Sequence, residues 1–251
     1  MVHFVGAGPG ATDLITIRGQ RLIKEADVII YAGSLVNPEL LEYAKDTCKI
    51  YNSALLSLEE VIDIMKRADQ KKQDLVRLHT GDPSIYGAIR EQMDELDKLG
   101  IAYDDTPGVS SFCGAAAALN LEYTLPGVSQ SVIITRMEGR TRVPEKESVE
   151  ALSSHEATMV FFLSAGDIEG LCARLIASGR RADTPCAIVY KATWQDEKKF
   201  VSTLEIIPDI AREQGINKTA LIIVGDVVST GNYEKSKLYD KDFETLFRGK
   251  K

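Results

Sequence analysis

The chain has 251 residues, 30 lysines and arginines against 37 acidic residues, and a formal net charge of −7. That length buries a core in one large domain or two smaller ones, and the acidic balance argues against nucleic-acid partners, whose non-specific binding is driven by basic charge. No window approaches the ~20 apolar residues that span a bilayer, and no basic segment with an apolar signal core opens the chain; a cytoplasmic protein with no membrane partner is expected.

Short β-branched runs alternate with helical stretches from the N-terminus onward. HFV (3–5) runs into a glycine-rich loop, Gly6-Ala7-Gly8-Pro9-Gly10-Ala11, and a helix is predicted over Ile17–Lys24. VIIY (28–31), KIY (49–51), LVRLH (75–79) and AYDD (102–105) read as further strands. Helical spacing covers Pro38–Ala44, Leu58–Lys71 and Ile85–Leu99. Ser57-Leu58-Glu59-Glu60 matches a capping box, and Gly100 is placed to end a helix in a left-handed turn. An alanine-rich helix ending AAAALN follows Thr106–Ser111. A boundary is predicted near Leu121–Gln130, which Pro126-Gly127 punctuates. Beyond it SVIIT, TMVFFLS, PCAIVY and ALIIVGDVV continue the strands, with a helix over Ile168–Ile176. The alternation argues for an α/β fold with a largely parallel sheet.

Three loops follow strands, where α/β sheets bind ligands. The first satisfies a loose G-x-G-x-x-A dinucleotide pattern, but three details disagree. Pro9 has no amide hydrogen to offer a phosphate. Glu25 and Asp27 precede VIIY, whereas a ribose-binding acid normally follows that strand. Ala11 to Ile15 also separate the glycines from the expected cap, Thr16. A nicotinamide-dependent oxidoreductase stays open at this point. The second loop, Thr80-Gly81-Asp82-Pro83-Ser84-Ile85-Tyr86-Gly87, offers a carboxylate to a ligand hydroxyl or amine, or merely a cap for the next helix. The third is Thr106-Pro107-Gly108-Val109-Ser110-Ser111. The basic cluster Arg136, Arg140, Arg142 and Lys146 reads equally as a solvated loop or as a pocket for an anionic small molecule. Cys48, Cys113, Cys172, Cys186 and the three histidines lie too far apart for a metal site, so no protein-bound metal is expected and the thiols read as reduced.

VGAGPGATDLIT, TGDPSIYG and PGVSS occur in this order, and with them the chain resembles the tetrapyrrole methylases, which use S-adenosylmethionine as methyl donor. YAGSLVNPELL, LPGVSQSVIITR, GRTRVPEKE, FFLSAGDI, YKATWQDEK and SKLYDKDFETLFR are similar to the precorrin-4 C(11)-methyltransferase branch of cobalamin biosynthesis. Uroporphyrinogen methylases carry an aspartate directly after the tyrosine of the second strand, where this chain has Tyr31-Ala32-Gly33-Ser34. That departure argues against a uroporphyrinogen-III methyltransferase and means that no catalytic aspartate can be carried to this position.

The resemblance implies two α/β domains, 1–122 and 128–251, with the donor in a trough between them, and a homodimer. It implies donor contacts from Pro9, from Gly81, Asp82 and Ile85 with Tyr86 nearby, and from Ser110 and Ser111. Leu163 and Ala192 match adenine-contacting positions, although each would otherwise read as core packing, and Ala220 is a further match. The implied substrate, precorrin-4 or its cobalt complex, carries acetate and propionate arms. Arginines bind carboxylates through paired hydrogen bonds, so Arg136, Arg140, Arg142 and Lys146, with Lys191, become its expected partners. A sulfonium donor is already activated, so the protein needs no nucleophile of its own. It must position the reacting atoms, an effect worth roughly 7–11 kcal/mol in favourable cases.

Overall fold

The computed structural model describes residues 1–139, 141–229, 231, 233–236, 243 and 244. They form two compact units. One comprises Met1–Ala118 with Lys191–Lys198, the other Leu119–Tyr190 with the described residues from Lys199 onward.

The first unit is built on five strands, β1 (Val2–Gly6), β2 (Val28–Tyr31), β3 (Lys49–Asn52), β4 (Leu75–His79) and β5 (Tyr103–Thr106). They are all parallel, in the order β3-β2-β4-β1-β5. Both faces are covered, which is why the central strands are apolar at nearly every position. Val2, Phe4, Val28, Ile30 and Leu75 pack against Val61, Ile64 and Met65 of α2 (Leu58–Gln70) and Leu96 of α3 (Arg90–Leu99). Val5, Ile29, Val76 and Leu78 face the other way, towards Ile23 of α1 (Ile17–Glu25). Strand alternation thus sends odd and even side chains into two separate cores.

The punctuation read from the sequence forms. Thr16 caps α1 by accepting from the Gly19 amide. Ser57 and Glu60 make both bonds of the capping box at α2, and Gly100 ends α3 at φ 66°. The helix predicted from Ile85 begins only at Arg90, because Tyr86 and Ala88 adopt φ of 55° and 50°, which an α-helix cannot contain. Pro38–Tyr43 is a 3-10 helix. The alanine-rich segment forms α4 (Ser111–Leu119).

The second unit carries β6 (Val132–Arg136), β7 (Thr158–Phe162), β8 (Pro185–Tyr190), β9 (Lys198–Thr203) and β10 (Ala220–Val224), in the order β6-β7-β10-β8-β9. This sheet is mixed: β6 runs parallel to β7, whereas β10 runs antiparallel to both β7 and β8. The largely parallel expectation therefore holds for the first sheet alone. Met159, Phe161, Ile188, Ile222 and Val224 bury one face against α5 (Val149–Ser153), α6 (Ile168–Ala177) and α7 (Ile207–Glu213). Among the described residues no helix is long and apolar enough to cross a membrane.

Candidate active site

In the first sheet β1 and β4 are neighbours whose connections leave in opposite directions, β1 to β2 and β4 to β5. Ligands of open α/β sheets bind at the carboxyl edge where this happens. The two departing loops cross closely enough to hydrogen-bond. The Gly8 amide donates to the Gly81 carbonyl at 3.2 Å, and the Gly81 amide returns to the Gly8 carbonyl at 2.8 Å. A methyl group on Gly6 would lie 2.5 Å from the Gly108 backbone, and one on Gly108 would lie 2.1 Å from the Gly81 carbonyl oxygen. Gly6, Gly81 and Gly108, one from each loop, therefore form a backbone-on-backbone knot. The motif glycines serve loop packing, and a phosphate is not needed to explain them.

Residues 9–11 are tied down on the outer side. The Pro9 carbonyl accepts from Trp194 Nε1 at 3.1 Å, the Gly10 carbonyl from Asn37 Nδ2 at 3.0 Å, and the Ala11 amide donates to Thr193 Oγ1 at 3.0 Å. Gly10 packs against the Trp194 indole, where a methyl group would come within 2.1 Å of Cδ1. Trp194 and Thr193 were not among the sequence candidates, although the only tryptophan of the chain stands inside the quoted YKATWQDEK. In the same segment Lys191 and Thr193 hold φ of 48° and 70°. Lys191 Nζ lies 2.6 Å from Asp196 and 5.3 Å from the Trp194 ring centroid, so its charge is shared within the loop. Ala192 is buried.

Asp82 joins the second loop to the third. Its Oδ2 accepts from the Gly108 amide at 2.9 Å; its Oδ1 accepts from the Ser84 amide at 2.9 Å and from the Ser84 hydroxyl. Burial pushes its pKa up, but these hydrogen bonds outweigh burial and hold the carboxyl below its ordinary value. A carboxylate has about four acceptor positions, so one is left for a ligand. No helix follows Asp82 directly, and its bonds brace a turn. Ile85 is half-buried, while Tyr86 is 44% exposed in its left-handed conformation. Ser110 is buried and its carbonyl accepts the Cys113 and Gly114 amides at the start of α4; Ser111 is half-buried. A methyl group on Gly81 would lie 3.3 Å from the Ser111 amide nitrogen, and one on Gly114 would lie 2.8 Å from Pro9 Cβ. Pro9, Gly81, Asp82, Ser110 and Ser111 thus share one sheet edge. Ala32 follows β2 at that edge and donates its amide to the Leu78 carbonyl at 3.1 Å.

In the second unit Leu163 follows β7 with φ 52° and 71% exposure. Ser164 fixes this posture, donating to the Phe162 carbonyl at 2.8 Å and accepting from the Met137 amide at 2.9 Å. Core packing does not explain a leucine held outward in a strained conformation. Ala220 is buried at the start of β10. Arg136 ends β6, and its guanidinium donates to the carbonyls of Met137, Thr141 and Arg142 at 3.1–3.3 Å. It thereby folds the loop back on itself and leaves Arg142 and Lys146 exposed. Arg140 lies outside the described residues. No group of three or more histidines, cysteines or carboxylates that could hold a metal ion occurs among the described residues.

Residues 1–208 match the profile of the Tetrapyrrole (Corrin/Porphyrin) Methylases. A cobalt-precorrin-4 C(11)-methyltransferase of Methanocaldococcus jannaschii is 56% identical over 247 residues, covering 98% of this chain and 95% of the relative. The crystal structure of CbiF, a cobalt precorrin-4 methyltransferase of cobalamin biosynthesis, superposes with a TM-score of 0.88 at 42% identity over 91% of this chain and 95% of that one. The uroporphyrin-III C-methyl transferase of Thermus thermophilus, solved with S-adenosyl homocysteine, gives 0.75 at 27% identity, covering 91% and 93%. By profile, by identity along nearly its whole length and by fold, the chain belongs to the tetrapyrrole methylases.

Proposed function

We propose that this protein transfers the methyl group of S-adenosylmethionine to ring carbon 11 of precorrin-4 or of its cobalt complex, a step of cobalamin biosynthesis. The observation that carries this reading is the 56% identity with a cobalt-precorrin-4 C(11)-methyltransferase over 98% of the chain. Ala32 after Tyr31 supports it, since the family resemblance implies an aspartate at that position in uroporphyrinogen methylases.

When bound, the sulfonium donor supplies a methyl group that needs no further activation. The chain's own residues then have to bind, orient and keep water out. The residues present fit such a donor. The braced loops of Pro9, Gly81 and Ser110–Ser111 make a preset backbone wall, and Asp82 keeps one acceptor position for a donor hydroxyl or amine. Ile85, Tyr86 and Leu163 supply apolar surface to its uncharged parts, and the buried Ala192 meets it through its backbone, with Ala220 as a further contact. Leu163 is the clearest case, since its outward posture has no packing reason. Arg142 and Lys146, with Arg140, meet carboxylate arms of the substrate, and Arg136 acts one step removed by shaping the loop that carries them. Cobalt, where present, arrives in the substrate. On family resemblance the working form is a cytoplasmic homodimer, which light scattering on the purified protein checks.

The deciding experiment incubates the protein with methyl-labelled donor and, separately, precorrin-4, cobalt-precorrin-4 and uroporphyrinogen III. Label at ring carbon 11 of either precorrin-4 form is the expected result, and the two forms separate the metal-free from the cobalt route. Label in uroporphyrinogen III alone, or in none of the three, overturns the reading.

A further inference from the structure

Arg77, on β4, is the only lysine, arginine, aspartate or glutamate among the described residues that is fully buried, at 7% exposure. Taking an ion out of water costs several kcal/mol, and buried charges are normally paired. The hydrogen bonds of this guanidinium run to neutral groups: Nε donates to Gln92 Oε1 at 3.0 Å and Nη1 to the Ile30 carbonyl at 3.3 Å. No described carboxylate lies within ion-pairing distance of it, and burial alone pulls its pKa down to about 10. Gln92 is itself buried and donates to the Ala88 carbonyl at 2.9 Å, so both partners of the cation are fixed in place.

A cavity of about 180 Å³ lies over this cation. Arg77, Gln92 and Ser53 are among its polar lining residues, Leu58 and Val61 among its apolar ones, and Gly87, which ends the second loop, lines it together with Ala88. Ser53 spends its proton on the Tyr31 carbonyl at 3.1 Å and offers a carboxylate no hydrogen bond, which leaves Arg77 as the cation that would hold one. Water occupies about 30 Å³ per molecule in the liquid. The space is far too small for a macrocycle and suits a short chain ending in one charged group. Glu91 stands exposed at the rim, which disfavours a dianion.

Resting on the methylase reading above, we infer that this cavity seats one carboxylate arm of the tetrapyrrole, with Arg77 as its buried counter-charge. The arm's methylenes lie along Leu58 and Val61, and the carboxylate completes the guanidinium. The macrocycle is thereby held beside the Gly81–Tyr86 loop. Arg77 contributes to substrate affinity and leaves donor affinity alone.

Two variants test this. Arg77→Met keeps the length and removes the charge, whereas Ala88→Met keeps the charge and blocks the cavity wall. Calorimetric titration should show tetrapyrrole affinity falling about tenfold or more in each, with S-adenosylhomocysteine affinity within twofold of the parent. Sodium propionate, compared with sodium chloride at equal ionic strength, should raise the melting temperature of the parent saturably and that of neither variant. If Arg77→Met does not fold, Ala88→Met carries both measurements. Unchanged tetrapyrrole affinity in a folded variant, or propionate protection equal in parent and variants, overturns the inference and leaves Arg77 as a structural hydrogen-bond donor. Propionate protection confined to the parent, in a protein that methylates no tetrapyrrole, supports the carboxylate site while refuting its assignment to a tetrapyrrole arm.

Discussion

Gly108 shows what a single hydrogen atom does in this fold. A Cβ there would stand 2.1 Å from the Gly81 carbonyl oxygen, and the atoms nearest to it are all backbone, with no flexible side chain among them to yield. Gly108→Ala should therefore cost about 1–3 kcal/mol, the usual range for overpacking, read as a lower urea midpoint. It should also weaken S-adenosylhomocysteine binding, because Asp82 holds the Gly108 amide and moves with it. The sequence marks these glycines as a motif but not their purpose, since a glycine fitted to a phosphate and one fitted to another backbone look alike in one chain. His79 was legible only as a scattered histidine. It is buried with Nε2 unpartnered; burial, helped by the Arg77 charge, pulls its pKa down to about 3. The unfolded chain takes up a proton near pH 6.5 that the native state refuses until about 3. This residue's stabilising contribution is thus present above pH 6.5 and is lost as pH falls towards 3. Denaturant midpoints measured from pH 7 to pH 4.5 should fall in the parent and fall less in His79→Leu.

Among elements, the strands of the first sheet were legible because burial on both faces writes them as unbroken apolar runs. β9 was not, since Phe200 and Val201 are the only large apolar residues of KKFVST and its exposed positions resemble a loop. Strand direction in the second sheet was hidden for another reason. Alternating strand and helix signals report order along the chain, whereas β10 pairs antiparallel with strands far from it in sequence. The start of α3 was misplaced because propensity carries no sign of the left-handed turns at Tyr86 and Ala88. An ion-pair bracket links three pieces that patterning treats separately. Arg174 of α6 lies 2.6 Å from Glu138, after β6, and 2.6 and 2.8 Å from the two carboxylate oxygens of Glu150 in α5. The Arg174 hydrogen bond is the main reason the Glu150 pKa falls to about 2. With the Glu150 side chain 49% exposed, screening limits the bracket to about 1 kcal/mol or less. Glu150→Gln should lower stability by up to about that amount at pH 7 and low salt. The parent loses the same contribution as pH drops from about 4.5 to about 2, the sign expected for a depressed carboxyl, so the two urea midpoints converge in that window.

At the scale of the whole molecule, length, charge and the order of three loops led to the right family, while the bonds that hold those loops were out of reach. The reason is physical: Trp194 is 185 residues from Pro9 in sequence, and no local pattern records that contact. The same scale offers a test that separates a methylase from a dinucleotide enzyme without any tetrapyrrole. A ligand that binds only the folded chain stabilises it by about 2.7 kcal/mol at one hundred times its Kd. For a chain of this size each kcal/mol moves the melting temperature by about 2–4 °C. S-adenosylhomocysteine at that excess should therefore raise Tm by about 5–10 °C in a calorimetric scan, provided the folded chain melts in one transition. NADH at the same concentration should leave Tm where it is. The first loop supplies the reason. Its Pro9 lacks an amide, its Ala11 amide is spent on Thr193, and α1 opens only at Ile17 behind its own cap at Thr16. A pyrophosphate would find few free donors there. A sulfonium nucleoside makes no such demand, so a rise with S-adenosylhomocysteine alone is the result this chain should give, and a rise with NADH alone would return it to the oxidoreductases.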